Sequence, residues 1–160
     1  MTWQPDPDRV LLGLAASRRK WPHGEYEFVL PHWALPLYYS HETQRFTGHG
    51  PVDASIGTCR LFTEVDGQGL VVLAEIGADH PTLAWEVVSE WRPDRLSIGY
   101  CLDPQDDGPT RICLKEVSLT DQPGDTDARV LSTGRLALRD WELLTGESIG
   151  GSLQLDPLLH

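Results

Sequence analysis

Three side chains in this sequence are of the types that acyl transfer to a serine requires. His41 closes the apolar run "LPLYYSH", Ser97 stands in "RLSIGYCL", and Glu116 stands in "RICLKEVSLT". A serine hydroxyl is a weak nucleophile near neutral pH. It needs a base within hydrogen-bond reach, and the base needs a group that orients it. Histidine and glutamate suit those two tasks. All three residues lie on, or at the end of, segments with β texture. Such residues can converge in a small barrel, but spacing along the chain does not by itself bring them together.

Each of the three has a plainer reading. With a period of two, Ser97, Gly99 and Cys101 take one face of their strand, and Leu96, Ile98, Tyr100 and Leu102 take the other, which is the expected core face. A serine beside a glycine on a small-residue face leaves room for a substrate backbone. From this pattern alone, however, Ser97 reads first as a strand serine on a solvated face. Cys101 shares that face as a second nucleophile, without a visible activating neighbour. The same periodicity groups Ile112, Leu114, Glu116 and Ser118. A carboxylate following two aliphatic residues is either half-buried, and then wants a partner such as histidine, or sits at a sheet edge and faces water.

Metal chemistry is not expected. His41 and His49 are separated by eight positions through a glycine-containing loop, whereas the zinc-protease helix needs two histidines four residues apart on one face. There is no G-x-x-x-x-G-K-[ST] phosphate loop and no dinucleotide glycine fingerprint, so no cofactor is expected either. Cys59, Cys101 and Cys113 are odd in number and form no C-x-x-C pair. They read as buried reduced thiols rather than as a disulfide frame or a zinc knuckle.

The elements that must position these groups are short and mostly extended. "YEFVL" and "LPLYYS" are aromatic and branched runs bounded by prolines. "ASIGTCRLFTEV" and "LVVLAEIG" flank the turn residues "DGQG", which predicts a β-hairpin over roughly residues 55–76. "RLSIGYCL", "RICLKEVSLT" and "ARVLS" supply three further strands, with "DPQDDGPT" and "DQPGDTD" as loops. "HETQRFTGHGPVD" is expected to be a loop as well. "DHPTLAWEVVSEWRP" changes period: Leu83, Trp85, Val87, Val88 and Trp91 fit a helical face, with Asp79 as cap, Pro81 in the first turn and Pro93 as terminator. "VLLGLAASRRK" is compatible with a short helix or with a strand followed by a turn. "LALRDWELLTGES" suits a helix, and the last ten residues are expected to be mobile.

Composition narrows the class. At 160 residues, 40% hydrophobic and 23% charged, the chain is large enough for one packed core and too apolar for wholesale disorder. A net charge of −11, with only "RRK" at 18–20 locally basic, disfavours nucleic acid as a partner. No run approaches the ~18 apolar residues of a membrane span. The N-terminal apolar patch is preceded by acidic residues and followed by basic ones, the wrong order for a secretory signal, so a cytoplasmic location is expected.

Taken together and in order, several segments resemble the prohead serine protease family of tailed bacteriophages, relatives in fold of the herpesvirus assembly proteases. They are "LPLYYSHE" at 35–42, "SIGTCRLFTEVDGQGL" at 55–70, "LSIGY" at 96–100 and "KEVSLTDQPGDTDARV" at 115–130. The chain departs from the family pattern with "SIGYC" for "SIGF" and "PGDT" for "PANP". The resemblance implies a mainly β fold with flanking helices (α+β), built on a small closed β-barrel. It implies one domain over 1–160, with a core at about 26–131 and peripheral segments at 1–24 and 133–160. It implies a serine endopeptidase with Ser97 as nucleophile, His41 as general base and Glu116 as the orienting third member. His49 is the alternative base and Ser118 the alternative nucleophile, and Arg129 is a candidate contributor to the oxyanion site. Implied partners are capsid or scaffold proteins as substrates, and a second copy in a homodimer. The implied location is host cytoplasm or procapsid interior. An inactive or domesticated descendant that binds such proteins without cutting them, and an unrelated β-rich binding module, are the alternatives.

Overall fold

"VLLGLAAS" is apolar at odd and even positions alike, the pattern of a strand covered on both faces. The computed structural model of the chain, which describes residues 3–39, 55–77, 95–120 and 124–149, makes it such a strand. A single 3-10 turn, Pro7–Arg9, capped by the Asp6 carboxylate, leads into β1 (Val10–Ser17). There follow β2 (Tyr26–Val29), β3 (Leu35–Tyr39), β4 (Gly57–Val65), β5 (Gly69–Ile76), β6 (Arg95–Asp103), β7 (Thr110–Thr120), β8 (Arg129–Thr133) and helix α1 (Arg135–Thr145).

The strands run in the order β2-β7-β3-β4-β5-β1-β8-β6, and β6 pairs back onto β7. Seven strands therefore close into a barrel, as expected for a mainly β fold, and β2 is appended outside the ring. β7 makes this possible by its length. Its first half pairs with β2 and its second half with β3, both parallel, while β6 runs antiparallel along its other side. The β4–β5 hairpin lies where the turn chemistry predicts it, with Gly67 at φ 79° and the Gln68 N–H donating to Val65 O at 3.0 Å.

Closure leaves an inner and an outer layer. Leu11, Leu37, Leu70, Val72, Leu96, Val117 and Leu119 fill the barrel. Val10, Leu12 and Leu14, on the other face of β1, pack outside it with Val71 and Leu73 under Ala137, Leu138 and Trp141 of α1. The helix ends at Gly146, which adopts φ 70° and donates its N–H to Glu142 O at 2.8 Å. A polar plug accompanies the inner layer. The Arg18 guanidinium pairs with Glu64 at 2.8 Å, donates to the carbonyls of Trp21 and Tyr26, and lies 4.5 Å over the Phe28 ring. Asp125 clamps the end of β1, accepting from Ser17 N at 2.6 Å and Ser17 Oγ at 2.9 Å.

Three expectations need correction or relocation. β1, inside the 1–24 segment expected to be peripheral, lies between β5 and β8 with all eight of its residues buried, because an apolar run with no polar face has no stable place at a surface. The stretch from Val10 is thus a strand and turn, not a helix. The helix among the described residues is the C-terminal one, α1. The helix expected over 79–93, the loop 41–53 and the last ten residues lie outside the described residues.

Candidate active site

β6 and β7 pair antiparallel with Ser97 opposite Ser118, Ile98 opposite Val117 and Gly99 opposite Glu116. Leu96, Val117 and Leu119 are part of the barrel interior, and Ile98 packs against it. Alternation therefore turns Ser97, Gly99, Glu116 and Ser118 to the outer face. Beyond this point the register slips: Tyr100 is opposite Leu114, which leaves Lys115 as an extra, unmatched residue on β7.

That bulge overturns one expectation. Ile112 and Leu114 do not share a face with Glu116 and Ser118. The first pair points into the barrel with Val117 and Leu119, and the second pair points out. A β-bulge adds one residue to one strand and shifts its alternation, a change that counting by twos along "RICLKEVSLT" cannot register. On β6 the small-residue face holds as expected. Its core face is shorter than expected, since Tyr100 is 40% exposed and Leu102 48% exposed.

Outward does not mean solvated here. Glu116 is 2% exposed and Ser118 is fully buried. The Ser118 hydroxyl donates to Glu116 Oε2 at 2.6 Å, a short charge-assisted bond that helps hold a buried carboxylate. The carboxylate lies directly on the Gly99 backbone. A Cβ added at Gly99 would stand 2.8 Å from Glu116 Cγ and 2.9 Å from Cδ. Gly99 is thus the floor on which the carboxylate rests, and its lack of a side chain is a packing requirement. The sequence contains both members of this contact, but only the strand register puts them together.

Ser97 is half-buried, unlike Ser118. It stands diagonally from Glu116, and diagonal partners on an antiparallel pair are about 7–8 Å apart at Cα. The directly opposed Ser97 and Ser118 stand closer, about 5 Å apart at Cβ. On the far side of β7, β3 runs parallel with Tyr38 beside Ser118. Tyr38, Ser118 and Ser97 thus form one row across three strands. The chain leaves β3 at Tyr39, two residues before His41. His41 and His49 lie outside the described residues.

The barrel seam adjoins Ser97. Among the described strands β6 pairs with β8 only at Arg95, opposite Arg129, and the Leu96 N–H donates to Ala128 O at 3.4 Å. The Arg95 guanidinium reinforces the seam through Thr126 O at 2.9 Å. Arg129 is on this outer face but donates to the carbonyl of its own neighbour Asp127 at 3.0 Å.

The three cysteines divide. Cys59 is buried inside the barrel, as expected, and its thiol is pushed far up from its ordinary range, first by burial and second by the negative charge of Glu116. Cys101 is exposed and Cys113 half-buried, so the expectation of three buried thiols fails for these two. Among the described residues no cluster of His, Cys, Asp and Glu is arranged to hold a metal ion. None of their helices is long and apolar enough to cross a membrane. No protein-family model, no curated protein and no solved structure matches the chain.

Proposed function

We propose that the chain is a serine endopeptidase of the prohead maturation type, cleaving capsid or scaffold proteins through Ser97, His41 and Glu116. The observation that carries this reading is the β6–β7 register. It sets a half-buried serine diagonally from a buried carboxylate, with β3 alongside and His41 two residues beyond its end in the sequence. On this reading Ser97 is preferred to Ser118, which is fully buried and has its hydroxyl committed to Glu116. Ser118 acts instead as a positioning residue for that carboxylate.

In this mechanism His41 takes the proton of Ser97 Oγ as the oxygen attacks a peptide carbonyl carbon. Glu116 accepts a hydrogen bond from the other imidazole nitrogen, fixes the tautomer and stabilises the imidazolium. The tetrahedral intermediate collapses, the C–N bond breaks, and the leaving amine takes the proton from His41. Water then attacks the acyl-serine with His41 again as base, releasing the acid and restoring the hydroxyl. An extended peptide has a place to lie. On this reading the substrate main chain adds to β6, which past Arg95 has no second partner among the described strands.

A fluorophosphonate probe tests the proposal, because an activated serine labels and an ordinary one does not. Labelling should map to Ser97, vanish in Ser97→Ala and fall sharply in His41→Ala, with the circular dichroism spectrum unchanged. Label on Ser118, or none on the folded wild-type chain, overturns it.

A further inference from the structure

Cys101 and Cys113 occupy directly opposed positions on the β6–β7 ladder. Opposed residues on antiparallel strands project to the same side. Ile112 and Leu114, on either side of Cys113, belong to the barrel interior, so both thiols project outward, on the face that carries Ser97 and Gly99. Opposed Cα atoms are about 4.5 Å apart at a non-hydrogen-bonded pair and about 5.5 Å at a hydrogen-bonded one. Both values fall within the roughly 4.4–6.8 Å that a disulfide spans. Free cysteine is among the most consistently buried residue types, and Cys59 conforms. The opposed pair of an exposed Cys101 and a half-buried Cys113 does not.

We propose that Cys101 and Cys113 form a cross-strand dithiol that closes to a disulfide by exchange with a small-molecule disulfide such as oxidised glutathione. The Cys101 thiolate, on the exposed residue, attacks one glutathione sulfur. The glutathione S–S bond breaks, one glutathione thiolate leaves, and a mixed disulfide remains on Cys101. The Cys113 thiolate then attacks the Cys101 sulfur, forms the cross-strand bond and expels the second glutathione. Two protein thiols are oxidised by two electrons, one glutathione disulfide is reduced, and the two thiol protons end on the two glutathione molecules. Cys59 takes no part, because its burial and the nearby Glu116 charge oppose its thiolate. The bond would tie β6 to β7 beside the Lys115 bulge, and its formation does not depend on the peptidase reading.

The test treats the full chain with oxidised glutathione at mildly alkaline pH, alkylates remaining thiols under native conditions, and maps peptides by mass spectrometry without reduction. The expected product is a Cys101–Cys113 link within one chain, lighter by two hydrogens, with Cys59 alkylated only after denaturation. In Cys113→Ser, the glutathione adduct should accumulate on Cys101. Four results overturn the proposal: a stable glutathione adduct on wild-type Cys101, a link between Cys101 residues of two chains, a link that includes Cys59, or both surface thiols left free. If Cys113→Ser does not fold, Cys101→Ser, which alters an exposed position, should abolish the link and leave Cys113 unlinked. A new Cys59–Cys113 link in that variant counts against the proposal.

Discussion

Replacing Gly99 with alanine tests the contact on which the site rests. A new Cβ would stand 2.8 Å from Glu116 Cγ and 2.9 Å from Cδ, distances that real Cβ contacts do not show. The backbone around Gly99 runs in an ordinary strand, so alanine brings no conformational strain of its own. Taken alone, Gly→Ala in a strand stabilises by about 0.5–1 kcal/mol through the unfolded chain. The carboxylate must therefore yield, and in doing so it gives up the 2.6 Å bond from Ser118 Oγ. A hydrogen bond to a charged group contributes about 1.5–3 kcal/mol, so the net loss should be about 1–2 kcal/mol. In a Glu116→Ala background the same substitution should cost nothing or gain up to that ~0.5–1 kcal/mol. The coupling energy between the two sites should then be about 2 kcal/mol, within the range for residues in contact. Urea denaturation, followed by the fluorescence of the buried Trp21 and Trp141, measures all four corners of the cycle. Additivity of the two substitutions to within about 0.5 kcal/mol would refute the packing of Glu116 on Gly99.

Further outcomes follow from the clamp, the outer layer and the buried thiol. Asp125→Ala removes the acceptor of Ser17 N and Ser17 Oγ, and of Asp127 N at 3.1 Å. It should cost about 3 kcal/mol in a urea melt, and a loss under about 1 kcal/mol would mean the clamp does not hold β1. Trp141→Ala, at 2% exposure under α1, should cost about 3–5 kcal/mol, with α1 amides losing hydrogen-exchange protection before those of β1. Cys59 predicts a pH effect. Its native thiol stays protonated well above its ordinary value of 9.0, while the unfolded chain releases that proton near 9. Above that pH the unfolded state binds fewer protons, so stability should fall by about 1.4 kcal/mol per pH unit. Cys59→Ala should be less stable at neutral pH but should lack this part of the slope, and parallel slopes for the two proteins would remove Cys59 as its source.

Much of the strand content was legible because its signals are local. The "DGQG" turn with its flanking apolar runs specified the β4–β5 hairpin, and proline-bounded aromatic runs specified β2 and β3. The small-residue face of Ser97 and Gly99 was readable for the same reason, since β6 keeps an unbroken period. One reading failed where distant partners decide. "VLLGLAAS" looked peripheral because an apolar run carries no record of what will cover it, and here β5, β8 and α1 all do. The tail helix was legible in "LALRDWELL", but not that its Trp141 would roof β1.

Residue types and spacing alone therefore indicated that this chain makes short strands in a mainly β fold, and that Ser97 shares a strand face with Gly99 and Cys101. Tertiary structure alone decided which strands neighbour one another around the ring, that Lys115 bulges out of register, and that Glu116 is consequently turned away from the barrel core onto Gly99. Periodicity and turn preference are properties of neighbours along the chain. The face a strand residue finally takes depends on the register of a partner strand, and a single unmatched residue in that pairing reverses it.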